Sequence, residues 1–156
     1  MRLFLGIEVL QKLGGVFLCQ QKYANDLKIF SMTERKHVKS PIVPRSKLNK
    51  NVDGTIVDNI YFKQIVGSLM YLTATRPDIM FSVSLISRYM SKPTELHLQA
   101  AKRILRYLKG TTSYGIFYRK GGKENLLAFI DSSYAGDEDD SKSTSGYVFL
   151  FSSGAV

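Results

Sequence analysis

Strand-forming sequence lies at both ends of the chain and helix-forming sequence lies between, and this order limits the folds that the chain can adopt. Residues 3–9 and 15–21 are predicted to form two strands, with Gly14 and Gly15 available for a turn that needs positive φ. Residues 114–119, 126–131 and 146–151 are predicted strands near the other end. The order predicts an α+β fold that begins with a β-hairpin and ends in a β-meander.

Three helices are predicted in the central part of the chain. Asp58 is suited to cap the first, which should extend to about residue 75, and Pro77 fits the first turn of the second. Met80, Val83 and Met90 are expected on the buried face of the second helix. A short helix over residues 23–30 precedes a stretch without apolar periodicity, residues 33–57, which we call the connector. Its two prolines and many basic residues predict an exposed segment.

The third helix is the clearest, with Thr94 as N-cap and Gly110 at its end. Four of its apolar residues share one stripe and should pack inward: Leu98, Ala101, Leu105 and Leu108. Three cations, Lys102, Arg106 and Lys109, share an outward stripe, with Arg103 beside it and no acidic residue between His97 and Thr111. Like charges four residues apart disfavour a helix by a few tenths of a kcal/mol, so contact with a polyanion is attractive. The alternative is a solvated polar face.

Net charge supports a polyanionic partner for the larger part of the chain. The protein of 156 residues carries +9, but residues 121–156 contain two of its 22 Lys and Arg and six of its 13 Asp and Glu. The first 120 residues therefore carry +13 and the remainder −4, which suggests two units that meet near Gly121. Positive charge of this size favours polyanions through counterion release, although it also serves solubility.

Several kinds of site and anchor are excluded by the sequence. Cys19 is the single cysteine, so neither a disulfide framework nor a cysteine-rich zinc site is possible. No apolar run approaches the roughly 18 residues of a membrane helix. His37 and His97 lack partners at zinc-binding spacing, and His97 is expected on a helix surface. The four acids at residues 137–140 predict a solvated loop, because they cannot all face one ion.

Three strings, in one order, identify a family resemblance that covers nearly the whole chain. They are FLGIEV at residues 4–9, YFKQIVGSLMYLTATRPDI at residues 61–79 and AAKRILRYLKGT at residues 100–111. The chain resembles the Pol polyprotein of copia-type LTR retrotransposons, from late reverse transcriptase into early ribonuclease H. The resemblance implies the end of a palm at residues 1–32, a basic linker at 33–57, a thumb- or connection-like helical region at 58–120, and the start of a ribonuclease-H-like domain at 121–156.

The resemblance also implies site residues. Leu5 and Gly6 lie in a segment similar to the primer-grip hairpin, where a glycine permits close approach of a nucleic-acid backbone; the alternative is a glycine of an ordinary hairpin. Asp131 matches the first of the carboxylates that hold Mg²⁺ in ribonuclease H. Copia relatives read Asp-x-Asp-Trp-Ala-Gly there, whereas residues 131–136 read DSSYAG, without the second aspartate and the tryptophan.

The implied function is that of a fragment that helps hold an RNA/DNA template–primer alongside the remainder of Pol. Neither a polymerase Tyr-x-Asp-Asp string nor the further ribonuclease H carboxylates occur, so we expect no complete catalytic site and no Mg²⁺ bound to this fragment alone. The alternative is a domesticated, non-catalytic nucleic-acid-binding protein. The resemblance implies an intracellular location, in a cytoplasmic particle or the nucleus, and no membrane partner. An incomplete terminal sheet should leave apolar surface uncovered and favour aggregation.

Overall fold

The protein is a mixed helix-and-strand structure with two sheets and one helical core. The computed structural model describes residues 2–30, 36–43, 48–49, 54–121, 125–133, 144–151 and 154–155. The strands are β1 (Arg2–Phe4), β2 (Ile7–Lys12), β3 (Gly15–Cys19), β4 (Gly115–Arg119), β5 (Leu126–Ser133), β6 (Thr144–Phe151) and β7 (Gly154–Ala155). The helices are α1 (Gln21–Asp26), α2 (Asn59–Leu72), α3 (Met80–Ser87) and α4 (Glu95–Gly110), with 3₁₀ turns at Leu27–Phe30 and Pro77–Ile79. The α+β prediction is confirmed at this level.

The first sheet has the strand order β1-β2-β3-β4, and every pair in it is antiparallel. The prediction of one strand over residues 3–9 is wrong, because Leu5 (φ 46°) and Gly6 (φ 77°) turn the chain back between β1 and β2. The predicted second turn is confirmed, and Gly14 adopts φ 91° there. A three-stranded meander therefore replaces the predicted hairpin.

Strand β4 completes this first sheet, and the prediction that residues 114–119 belong to the terminal meander is wrong. Gly15 pairs with Arg119, Phe17 with Phe117 and Cys19 with Gly115. The physical reason is that β3 would otherwise present an unpaired edge, and β4 supplies its backbone partners. The sheet thus joins parts of the chain that lie about a hundred residues apart.

Helices α2, α3 and α4 enclose the hydrophobic core. Its fully buried members include Phe62, Ile65, Leu69, Ile86 and Leu108. Asp58 caps α2 as predicted, since its side chain accepts a hydrogen bond from the Ile60 N–H at 2.8 Å.

Two predictions about burial in this region fail. Met80 is exposed, because the 3₁₀ turn at Pro77–Ile79 rotates the start of α3 and buries Ile79 instead. The connector is not wholly exposed: Leu48 is buried in the core, and its carbonyl accepts a hydrogen bond from the Tyr89 hydroxyl at 2.8 Å. Because the connector has no apolar periodicity, its sequence did not indicate that Leu48 is buried.

The second sheet has the order β5-β6-β7 and meets the first sheet through β7. The Tyr118 hydroxyl of β4 donates a hydrogen bond to the Ala155 carbonyl, and Gly154 packs against the ring of Tyr118. Residues 126–130 of β5 and 147–149 of β6 are all exposed, so neither face of this part of the β5–β6 ribbon is covered by the described part of the chain. The predicted uncovered apolar surface is confirmed. None of the described helices is long and apolar enough to cross a membrane.

Candidate nucleic-acid interface

Helix α4 buries one face and presents cations on the other. The predicted apolar stripe is confirmed, since Leu98, Ala101, Leu105 and Leu108 are all buried. Lys102, Arg103, Arg106 and Lys109 are each partly exposed, so the structure brings the four predicted cations together along one helix. No acidic side chain of α4 separates them, because Glu95 lies in its first turn.

The connector lies alongside these cations, which the sequence did not indicate. Arg106 donates a hydrogen bond from Nε to the Lys36 carbonyl at 2.9 Å, and His37 lies against Gly110 at the end of α4. A cavity of about 370 Å³ separates the connector from α3 and α4, and Lys102, Arg103 and Arg106 line it; we call it the groove. Lys102, Arg103 and Arg106 therefore border a groove rather than an open helix face, and the connector that forms the other wall is itself basic in sequence.

The N-terminus of α4 is fixed by a buried histidine. His97 is fully buried, so the prediction that it lies on the helix surface is wrong. Its Nδ1 accepts a hydrogen bond from the Thr94 N–H at 2.9 Å, Nε2 lies 2.8 Å from the Asn49 carbonyl, and its ring stacks on Tyr89 at 4.0 Å. The Thr94 cap itself is confirmed, with His97 in the N3 position that Glu or Gln takes in a capping box. The three-residue spacing from Thr94 to His97 was the sequence signal from which the burial of His97 could have been predicted.

The C-terminus of α4 is fixed by a buried arginine. The Arg76 guanidinium donates to both carboxylate oxygens of Asp78, at 2.8 and 2.7 Å, and to the carbonyl and hydroxyl of Thr111, at 2.9 and 2.7 Å. The Tyr107 hydroxyl also donates to Asp78, at 2.9 Å. No motif indicated this network, because its members are up to 35 residues apart.

Two groups of this network have perturbed acidity. Burial alone would raise the pKa of Asp78, but the hydrogen bonds and charge of Arg76 outweigh that effect and hold the pKa below its usual value. Burial, followed by the hydrogen bond to the Asp78 carboxylate, raises the pKa of Tyr107. Asp78 is therefore charged at neutral pH, and the network anchors α4 as an ion pair.

Comparison with known proteins identifies the family. Over 146 residues the chain is 46% identical to the retrovirus-related Pol polyprotein from transposon RE1 and 42% identical to that from transposon RE2, both of Arabidopsis thaliana, covering 93% of this chain. The chain belongs to the family of copia-type retrotransposon Pol polyproteins. It spans about a tenth of the length of these two relatives. No family model matches the chain. No solved structure matches it significantly.

A shorter relative carries the same segment. The chain is 40% identical over 146 residues to an uncharacterized mitochondrial protein of Arabidopsis thaliana, with 92% of this chain and 60% of that protein covered. The segment shared with the Pol polyproteins therefore also occurs in a much shorter relative.

Leu5 and Gly6, the predicted primer-grip residues of this Pol segment, form the turn between β1 and β2. The Tyr71 hydroxyl of α2 donates a hydrogen bond to the Leu5 carbonyl, and a Cβ at Gly6 would overlap that hydroxyl. The group that approaches Gly6 closely is therefore Tyr71 of the same chain. This packing explains why position 6 needs a glycine. The Leu5 side chain is exposed.

Asp131, the predicted metal ligand, lies in β5 opposite Gly146, two residues before the strand ends at Ser133. The acids at residues 137–140 lie outside the described residues. Within the described ranges, no group of three or more His, Cys, Asp or Glu side chains gathers that could hold a metal ion. Two Mg²⁺ ions need several carboxylates, and we derive no step through such a metal pair.

Proposed function

We propose that this chain is a segment of a retrotransposon reverse transcriptase/ribonuclease H polyprotein that helps hold the RNA/DNA template–primer and has no complete catalytic site of its own. The observation that carries the proposal is the acid-free set of cations on α4, bordered by a connector that is itself basic. Fixed cations on a packed helix are suited to phosphates, whose neutralisation releases counterions.

The contacts we propose are to the sugar–phosphate backbone. Lys102, Arg106 and Lys109 lie at successive turns of one helix face, and Arg103 lies beside them at the groove. Such contacts position a duplex without reading its sequence. Three to four phosphates neutralised on a duplex correspond to a slope of about −3 in a plot of log affinity against log salt.

The finer domain assignments form part of the same proposal. Residues 1–32 correspond to the end of a palm, 33–57 to a linker, 58–120 to a thumb- or connection-like region, and 121–156 to the start of a ribonuclease-H-like domain. Asp131 would serve as the first carboxylate for Mg²⁺ only within a complete domain, with the other ligands supplied by the rest of Pol. The proposed location is intracellular, in a cytoplasmic particle or the nucleus.

A charge-matched pair of triple variants tests the interface. Lys102, Arg106 and Lys109 are changed together to Gln, and the control changes three exposed lysines elsewhere to Gln: Lys63, Lys92 and Lys120. Both variants lose three positive charges. Fluorescence anisotropy with labelled RNA–DNA hybrids of several sequences, over a range of salt concentrations, measures affinity and slope.

We expect the α4 variant to bind all hybrids more weakly and with a flatter salt slope, while the control stays close to the parent protein. Helix content by circular dichroism should be nearly unchanged, because Gln is a good helix former. Equal loss in both variants would mean that net charge alone drives binding. Unchanged affinity and salt slope in the α4 variant would mean that these cations are only solvated by water, and would refute the proposed interface.

The second candidate is a domesticated, non-catalytic nucleic-acid-binding protein. The shorter mitochondrial relative supports this candidate, because the segment that it shares with our chain makes up 60% of that protein. Sequencing the surrounding reading frame and detecting the product separates the candidates. A Tyr-x-Asp-Asp segment upstream or a continuing ribonuclease H frame downstream supports the polyprotein, whereas a separately expressed short product supports domestication.

A further inference from the structure

The groove between the connector and α4 has the size and the mixed lining of a small-molecule site. Its volume of about 370 Å³ falls within the roughly 300–1,000 Å³ of ligand pockets. Its apolar wall comes from the connector, α3 and α4: Pro41, Ile42, Val43, Leu48, Ile86 and Ile104. The nucleic-acid proposal uses the cations at its edge but gives no role to this apolar interior.

Arg103, a residue that lines the groove, has a donor that the described part of the chain leaves unused. Its Nε atom is buried, and no acceptor in the described part of the chain bonds to it. A buried donor without an acceptor is unfavourable, because its lost hydration is not replaced. The guanidinium of Arg103, a residue that lines the groove, is therefore not fully hydrogen-bonded within the described part of the chain.

Charge is distributed unevenly along the groove. Lys102, Arg103 and Arg106 lie toward the C-terminal part of α4, whereas Glu95 lies at the start of that helix. Eight residues separate Glu95 from Arg103, which corresponds to about 12 Å along a helix. At this distance Glu95 does not neutralise Lys102, Arg103 and Arg106, so their end of the groove is suited to an anionic head group.

The lining also limits the rest of the ligand. Among the described residues that line the groove none is aromatic, so it offers no ring on which a base could stack. Branched aliphatic side chains favour a flexible hydrocarbon chain. From Glu95 to Arg106 the groove follows 11 residues of helix, or about 16 Å, which suits an elongated ligand.

We propose that the groove binds a linear amphipathic anion, an aliphatic chain that ends in a carboxylate. The carboxylate accepts hydrogen bonds from the Arg103 guanidinium, and Lys102 adds charge. The chain lies against Ile42, Leu48 and Ile104. This binding is non-covalent. It would share Arg103 and Lys102 with the proposed nucleic-acid interface, but it does not require that the chain binds nucleic acid.

Decanoate and decanol are the probes, because they share an aliphatic chain and differ in charge. Titration of the full chain, followed by amide chemical shifts in NMR and by calorimetry, gives the site and the affinity. We expect decanoate to shift amides of α4 and of residues 41–43 and to bind more tightly than decanol. Shifts confined to the exposed β5–β6 ribbon would overturn the proposal.

Three variants sharpen the test. Arg103→Gln should weaken decanoate binding roughly 10- to 100-fold, as expected for loss of a charge-assisted hydrogen bond, and leave decanol unaffected. Ala100→Met, which narrows the groove without changing charge, should weaken both probes. Lys63→Gln, an exposed charge change on α2, should weaken neither. Equal decanoate affinity in the parent and Arg103→Gln proteins, or equal affinity for the two probes, would refute the site.

Discussion

The ion pair between Arg76 and Asp78 offers the sharpest test of how α4 is held. We predict that Asp78→Asn lowers the free energy of unfolding at neutral pH. The substitution keeps the shape of the side chain but removes the charge that faces the Arg76 guanidinium and halves its paired acceptors. Arg76 would then remain buried with one acceptor at position 78, its two bonds to Thr111, and the rings of Tyr107 and Tyr114 nearby.

The expected magnitude lies between two limits. Breaking a fully buried ion pair costs about 3–5 kcal/mol, whereas an exposed pair contributes about 0–1 kcal/mol. The Arg76 side chain is 3% exposed and that of Asp78 is 33% exposed, and Arg76 keeps its bonds to Thr111. We therefore expect a loss of about 2 kcal/mol, which corresponds to a fall in Tm of roughly 4–8 °C for a chain of this length.

The effect should depend on pH in one direction. Because the folded state lowers the pKa of Asp78, the carboxylate stabilises the fold above the unfolded value of about 3.9 and loses this contribution as pH falls through the lowered folded pKa. Urea unfolding of the parent and Asp78→Asn proteins, from about pH 7 to about pH 3, should show their difference shrink in acid.

Asp26→Asn is the matched control, because it removes an exposed carboxylate at the end of α1. We expect its free energy of unfolding to stay within about 0.5 kcal/mol of the parent. A difference between the parent and Asp78→Asn proteins that is absent at neutral pH, or that does not change with pH, would refute the assignment of Asp78 as the charged partner of Arg76.

Three further predictions follow from individual contacts. His97→Ala should lower the free energy of unfolding in urea by about 2–5 kcal/mol, because it removes the acceptor of the Thr94 N–H and the contact with the Asn49 carbonyl and opens a cavity. An unchanged free energy of unfolding would contradict the capping role of His97. Gly6→Ala should lower the free energy of unfolding by about 1–2 kcal/mol. In the double variant, Tyr71→Phe should recover part of that loss, because it removes the hydroxyl that the new methyl group meets. A double variant whose loss equals the sum of the two single losses would contradict the contact. Phe129→Lys should reduce self-association in sedimentation velocity with little effect on stability, because this ring is exposed on β5; unchanged association would place the contact elsewhere.

The helices could be predicted well because their signals are local. Asp58, Thr94 and Gly110 mark helix ends through groups within a few residues, and α2 and α4 begin and end close to those markers. The apolar stripe of α4 is a periodic feature of one segment, so its burial could also be predicted. The cations of the candidate site followed from the same periodicity.

The pairing of distant segments could not be predicted in the same way. The alternation of apolar and polar residues in β3 and β4 resembles that of other strands. No residue near either strand in the sequence indicates that Phe17 pairs with Phe117. His97 was placed on the surface because its partners, Asn49 and Tyr89, come from other parts of the chain. The groove was missed for the same reason, since the connector that forms its wall showed no periodicity.

The two buried networks support the anion-binding role that we propose for the cation stripe of α4. His97 fixes the start of the helix through the Thr94 cap, and Arg76 fixes its end through Thr111. A helix held at both ends and buried along one face cannot unwind to separate Lys102, Arg106 and Lys109. The helix therefore holds these three side chains at fixed positions along its axis. Stability supplied by the core thus keeps the cations in place for binding.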